Sequence, residues 1–140
     1  MKQKMTLTEL RDFFAREFPQ VGPEFHIDSL SPMRASVRWS PSEAHLRPGG
    51  TVSGPTLFTL ADLGVYAALL AMIGPRGLAV TTNASIDFMR KPMPGRDVLA
   101  EVTLLKLGRV LAVGDVLMRS DGADSPAARA TLTYSIPPER

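Results

Sequence analysis

At 140 residues, with 44% hydrophobic and 21% charged residues, the chain has the size and composition of one soluble globular domain. Its formal net charge of +2, with no block of like charges, makes no nucleic-acid footprint. With no cysteine and only His26 and His45, a disulfide scaffold and a thiol nucleophile are excluded, and neither a metal nor another cofactor is expected.

The first residues, Met1 to Glu9, contain no apolar run of signal-peptide type, so a cytoplasmic location is expected. Thr6-Leu-Thr-Glu9 has the form of a capping box. Leu7, Leu10, Phe13, Phe14 and Phe18 follow at helical spacing, which predicts an amphipathic helix over 6–17 that ends near Pro19. Residues 1–22 form this helix and a linker within a single domain spanning 1–140. Strands are predicted at His26–Leu30 and Arg34–Trp39, joined by the turn-like Ser31-Pro32, and 40–54 reads as a Pro-, Gly- and Ser-rich loop.

A second helix is predicted from Pro55 to Met72, with proline at its first position and Gly74-Pro75 as its stop. It nears the length of a membrane span, but Thr59, Asp62 and Gly64 interrupt it. A buried core helix without membrane insertion is the expectation. Leu78–Met89 alternates, with Thr81, Asn83, Ser85 and Asp87 on one face and Val80, Ala84, Ile86 and Phe88 on the other. Asp97–Leu107 and Arg109–Arg119 flank Gly108 as a hairpin, and Arg129–Ile136 is the last strand. This order predicts an α+β domain with helix two packed on an antiparallel sheet. Because that helix is apolar nearly all round, either the sheet curls around it or a second subunit covers it.

Asp62 is the only charged residue between Arg47 and Arg76. Desolvating a carboxylate costs several kcal/mol unless it is paired or left at a wet crevice, and Asp is a poor helix former. Catalysis accounts for its presence. So does a structural Asp that caps a loop or pairs with an Arg.

The segment Gly50-Thr-Val-Ser-Gly54-Pro-Thr-Leu-Phe-Thr-Leu-Ala-Asp62 resembles the phenylacetic-acid-degradation (PaaI-type) acyl-CoA thioesterases of the hotdog fold. Their loop reads Asn-x-x-Gly-x-x-His-Gly-Gly ahead of a helix carrying Leu-Ala-Asp. Gly50, Gly54 and Leu60-Ala61-Asp62 match at the same spacing. Asn83 to Pro92 and Pro94-Gly95 resemble the family's next strand and turn, and the similarity spans about 25–136. The chain departs from the pattern in having Arg47 for the Asn, Ser53 for the His and Pro55 for the second Gly.

The resemblance implies a long central helix wrapped by a curved antiparallel sheet, here with an extra N-terminal helix. It implies hydrolysis of an acyl-CoA thioester to free coenzyme A and a carboxylic acid. It also implies self-association into a dimer or dimer of dimers, with Asp from one subunit and the loop from the other. Asp62 is then the general base or nucleophile, and the Gly54 amide at the helix N-terminus polarises the thioester carbonyl. Gly and Pro ahead of a helix are also ordinary turn residues. Ser53 is placed to donate to the carbonyl or to cap the helix. Thr81 aligns with a family hydroxyl that holds the attacking water, and is equally an ordinary strand Thr. Candidate substrate-binding residues are Arg47, Gly50, Phe58, Arg90 and Lys91. Lys106 and Arg109, near strand ends, are further candidates for the phosphates. Arg47 is alternatively a partner of Asp62. The competing reading is a hotdog protein that binds an acyl ligand without turnover; a hydratase wants a His paired with the acid, and none is well placed.

Overall fold

The capping box forms as expected. Thr6 Oγ1 accepts from the Glu9 N–H at 3.2 Å and Glu9 Oε1 accepts from the Thr6 N–H at 2.9 Å, opening α1 (Leu7–Glu17). A computed structural model of the chain describes residues 2–138. The next elements are β1 (Phe25–Ser31), β2 (Arg34–Trp39), α2 (Gly54–Ile73) and β3 (Val80–Phe88). The last are β4 (Val98–Leu107), β5 (Leu111–Ser120) and β6 (Ala128–Ser135). Short 3-10 turns at Pro19–Val21 and Glu43–His45 lie in stretches that the sequence pattern left as linker and loop. Pro55 sits in the first turn of α2, and Gly74 closes that helix with φ +94°.

All strand pairs are antiparallel, and the six-stranded sheet has the order β1-β2-β4-β5-β6-β3. The chain leaves β2, runs through α2 and re-enters the sheet at its far edge as β3. The sheet curls so that α2 touches every strand, while α1 packs on α2 and β1. The N-terminal segment covers the C-terminal end of α2, where the N–H groups of Lys4 and Met5 donate to Ala71 O at 2.7 and 3.0 Å. This is the hotdog arrangement. α2 is long and apolar enough to cross a membrane by length and composition, but 78% of its most apolar window is buried in the fold.

Two glycines let helix and sheet interlock. A Cβ on Gly64 of α2 would lie 2.8 Å from Val102 Cγ2, and one on Gly114 of β5 would lie 2.9 Å from both Val65 methyls.

The alternation predicted for β3 is overturned at one end. Thr81 pairs with Tyr134 but Asn83 pairs with Thr133, so Thr82 is an extra, bulged residue. A bulge shifts the period-two pattern by one residue. Thr81 therefore shares the helix-facing side with Ala84, Ile86 and Phe88, and Val80 joins Asn83, Ser85 and Asp87 on the other. This is the opposite of the sequence expectation for both residues.

Candidate active site

The bulge brings Thr81 to Asp62. The Thr81 hydroxyl donates to Asp62 Oδ1, and the Tyr134 hydroxyl donates to the same oxygen at 2.8 Å while lying 3.0 Å from the Asp62 carbonyl oxygen. Both hydroxyls thus converge on one carboxylate oxygen. Oδ2 has no hydrogen-bond or ion-pair partner among the described residues. The Arg47 pairing considered from sequence does not form, because hydroxyls take the place of a cation. Asp62 itself is half-buried and lines a cleft of about 260 Å³ with Phe18, Leu63, Tyr66, Ala79 and Tyr134.

Tyr134 is 3% exposed. Burial, and after it the Asp62 charge, push its phenol well above the usual tyrosine range. It therefore stays protonated and serves only as a donor to Asp62. Its ring stacks on Tyr66 at 6.0 Å, and Tyr66, whose phenol burial also pushes up, donates to Gly77 O at 2.9 Å. The sequence reading did not single out Tyr134. The available signal was the alternation of the last strand, which places Tyr134 on the same face as Ala130 and Leu132, turned toward the helix that bears Asp62.

At the other end of this geometry is the α2 N-terminus. Arg47 N–H donates to Thr51 O at 2.9 Å and Gly50 N–H donates to Arg47 O at 3.0 Å, closing a tight loop in which Gly49 and Gly50 have φ of +97° and +79°. Leu46 and Val52 form a bridge across its base. The Gly54 N–H, in the first turn of α2, has no intrahelical acceptor. A Cβ at Gly54 would approach the Phe88 ring to 3.3 Å, so the chain passes close to the end of β3 there. Ser53 takes the capping role: its Oγ accepts from the Thr56 N–H at 3.4 Å and lies 2.9 Å from Thr56 Oγ1.

A cleft of about 450 Å³ at this terminus is lined by Arg47, Gly54, Phe88, Arg90 and Lys91 over an apolar base of Val52 and Leu57. Three cations converge on it, and no carboxylate lines it. Gly50 adjoins it, with its Cβ direction 4.0 Å from Pro94. Phe58 lies outside it, 37% exposed on the open side of α2. Arg109 is not part of this group. It lies beside Met72 and Ile73 at the C-terminal end of α2, with Lys2, Lys4 and Arg76, because the β4–β5 turn points that way. Lys106 lines neither cleft.

Asp62 and Gly54 lie eight residues apart on one helix, about 12 Å along its axis. One chain therefore holds two features apart: a hydroxyl-anchored carboxylate, and a cationic loop at a helix N-terminus.

A curled antiparallel sheet around one apolar helix, with an acid on that helix, defines a hotdog protein. The thioesterase superfamily model matches residues 49–127, more than half of the chain, which belongs to that family. A crystal structure of a candidate thioesterase from a Silicibacter species is 55% identical, covers 99% of this chain and 96% of its own, and superposes with a TM-score of 0.92. The phenylacetic acid degradation protein PaaI of Thermus thermophilus, in a mutant form, is 28% identical over 81% of this chain and 93% of its own, with a TM-score of 0.69. Zebrafish thioesterase superfamily member 2 shares the fold at 24% identity, over 96% of this chain and 100% of its own, with a TM-score of 0.83. No curated protein is similar enough in sequence to count as a relative.

Proposed function

We propose that this chain hydrolyses acyl-CoA thioesters, with Asp62 as the general base or nucleophile. One observation carries the reading: both hydroxyl donors hold Oδ1, while Oδ2 has no partner among the described residues and Asp62 lines a cleft with aromatic walls. As base, Oδ2 takes a proton from water as that water attacks the thioester carbonyl carbon. The tetrahedral oxyanion collapses, the C–S bond breaks, and the thiolate leaves and is protonated to free coenzyme A, with the carboxylic acid as the other product. As nucleophile, Asp62 displaces the thiolate to give a mixed anhydride, which water then opens.

The oxyanion donor comes from a second copy. β3 is an edge strand with Val80 and Phe88 each 56% exposed, and its helix-facing Ala84 is uncovered. An open edge strand is a template for pairing. Antiparallel pairing of Val80–Phe88 with itself about Ala84 sets Val80 of one copy against Phe88 of the other. The Gly54 end of one copy then lies beside the Thr81 and Asp62 of its mate. The Gly54 N–H donates to the developing oxyanion, and the Arg47, Arg90 and Lys91 cleft receives coenzyme A phosphates. The same pairing covers the open side of α2 at Phe58.

The test is thiol release from short, long and aryl acyl-CoAs. The chain has no cysteine, so a thiol reagent reports only freed coenzyme A. Asp62→Asn is expected to lower kcat by about a hundredfold or more. Acyl-CoA binding by the wild type without turnover on any substrate would instead establish the non-catalytic reading, in which Ser53 and Arg47 have displaced the family's loop chemistry.

A further inference from the structure

Phe18 stands between two cavities. At the C-terminal end of α1 it lines the Asp62 cleft of about 260 Å³ on one side. On the other it lines a groove of about 530 Å³ between α1 and β1, whose apolar surface comes from Phe14, Val21, Phe25 and Ile27. It is the one residue that lines both. Its ring stacks on Phe14 at 6.2 Å and meets Tyr66 edge-on at 5.9 Å, so the partition is an anchored aromatic side chain and not backbone. The groove is lined by no carboxylate, and its one guanidinium, Arg11, is tied to its wall by two hydrogen bonds to Ile27 O at 2.6 and 3.1 Å. Apart from Arg11 and His26 its lining side chains are apolar, which suits a hydrocarbon chain. Phe18 and the groove lie outside residues 49–127, whereas Asp62 and Thr81 lie inside.

We propose that Phe18 is a specificity-determining residue that ends the acyl site, confining the substrate to compact acyl groups, and that the groove beyond it is the path a longer chain would take. The inference rests on the thioester reading of the Asp62 cleft. A chain that reaches Phe18 must displace the ring or stay out of the pocket, and each misfit methylene in such a pocket is worth about tenfold or more in kcat/KM.

The experiment compares kcat/KM for dodecanoyl-CoA and butanoyl-CoA in the wild type, Phe18→Ala and Phe18→Leu. The dodecanoyl-to-butanoyl ratio is expected to rise at least about tenfold in Phe18→Ala and to move the same way, by less, in Phe18→Leu. Adding Val21→Trp to Phe18→Ala fills the groove and should return the ratio toward that of the wild type. A ratio unchanged within about twofold in both Phe18 variants overturns the inference. Calorimetric titration with dodecanoate gives a readout independent of hydrolysis: about tenfold tighter binding to Phe18→Ala supports the wall, and equal binding overturns it. If dodecanoate binding shifts while no acyl-CoA is hydrolysed, the hydrolase reading falls and the wall stands. If thiol is released but neither readout shifts, the wall alone falls.

Discussion

Asp62 is tolerated in an apolar helix because its solvation is replaced on one side only. Thr81 and Tyr134 satisfy Oδ1, Oδ2 has no partner among the described residues, and the residue lines the cleft. Removing one donor should therefore loosen the carboxylate without emptying the site. Tyr134→Phe is expected to lower kcat by roughly ten- to a hundredfold with little change in KM, as measured by thiol release. The same residue makes a prediction about pH. Its folded-state phenol titrates above its unfolded value, so above pH about 10 the unfolded chain binds fewer protons than the folded one. The stabilisation is complete below that pH and is lost as pH rises toward the folded-state value. Urea midpoints measured between about pH 8 and 11.5 should fall steeply at the alkaline end, and less steeply in Tyr134→Phe.

At the level of elements, the separation between α2 and the sheet depends on absent side chains. Gly114→Ala drives a methyl into both Val65 methyls, which are themselves fixed on a buried helix. A loss of about 1–3 kcal/mol in denaturant unfolding is expected. Gly64→Ala meets Val102 equally closely, but alanine recovers about 1 kcal/mol of helix propensity, so its net cost should be smaller. Combining Gly64→Ala with Val102→Ala relieves the clash and should recover part of the loss. The bulge at Thr82 is the other decision made at this scale. It moves one hydroxyl from the outer face of β3 to the helix, and with it creates the Asp62 pair.

On the proposed reading the whole molecule is half of a site. Each chain keeps the proposed base and the proposed oxyanion donor about 12 Å apart on one helix, and its open edge strand exposes Val80 and Phe88. Light scattering at micromolar concentration should give a dimer mass or a multiple of it. Ala84→Lys puts a charge on the helix-facing side of the pairing edge and should give monomers with thiol release down at least about a hundredfold, although Asp62, Thr81 and Tyr134 are untouched. Full activity from a monomer would sink the cross-copy arrangement.

Much of this molecule is legible in local chemistry. The Thr6–Glu9 cap, the glycine-rich loop, the Pro55 start and Gly74 stop of α2, and the Gly108 turn between β4 and β5 are short-range signals read within a few residues. The isolation of Asp62 is equally visible, since one charge in an apolar run needs no structure to be noticed. Those patterns determined the two helices, the strands to within a few residues and the α+β class, and they singled out Asp62 as the candidate for catalysis. They did not determine which face of β3 Thr81 occupies, that Tyr134 is its companion, that Arg109 sits at the far end of α2, or that Phe18 parts two cavities. Each of these depends on contacts between residues distant in sequence. A period-two pattern is compatible with either register until a bulge selects one, and a strand's neighbours are chosen by how the sheet closes around α2. Burial of the nearly uniform surface of that helix is what forces the closure, and only the closed fold brings residues 18, 62, 81 and 134 to one place.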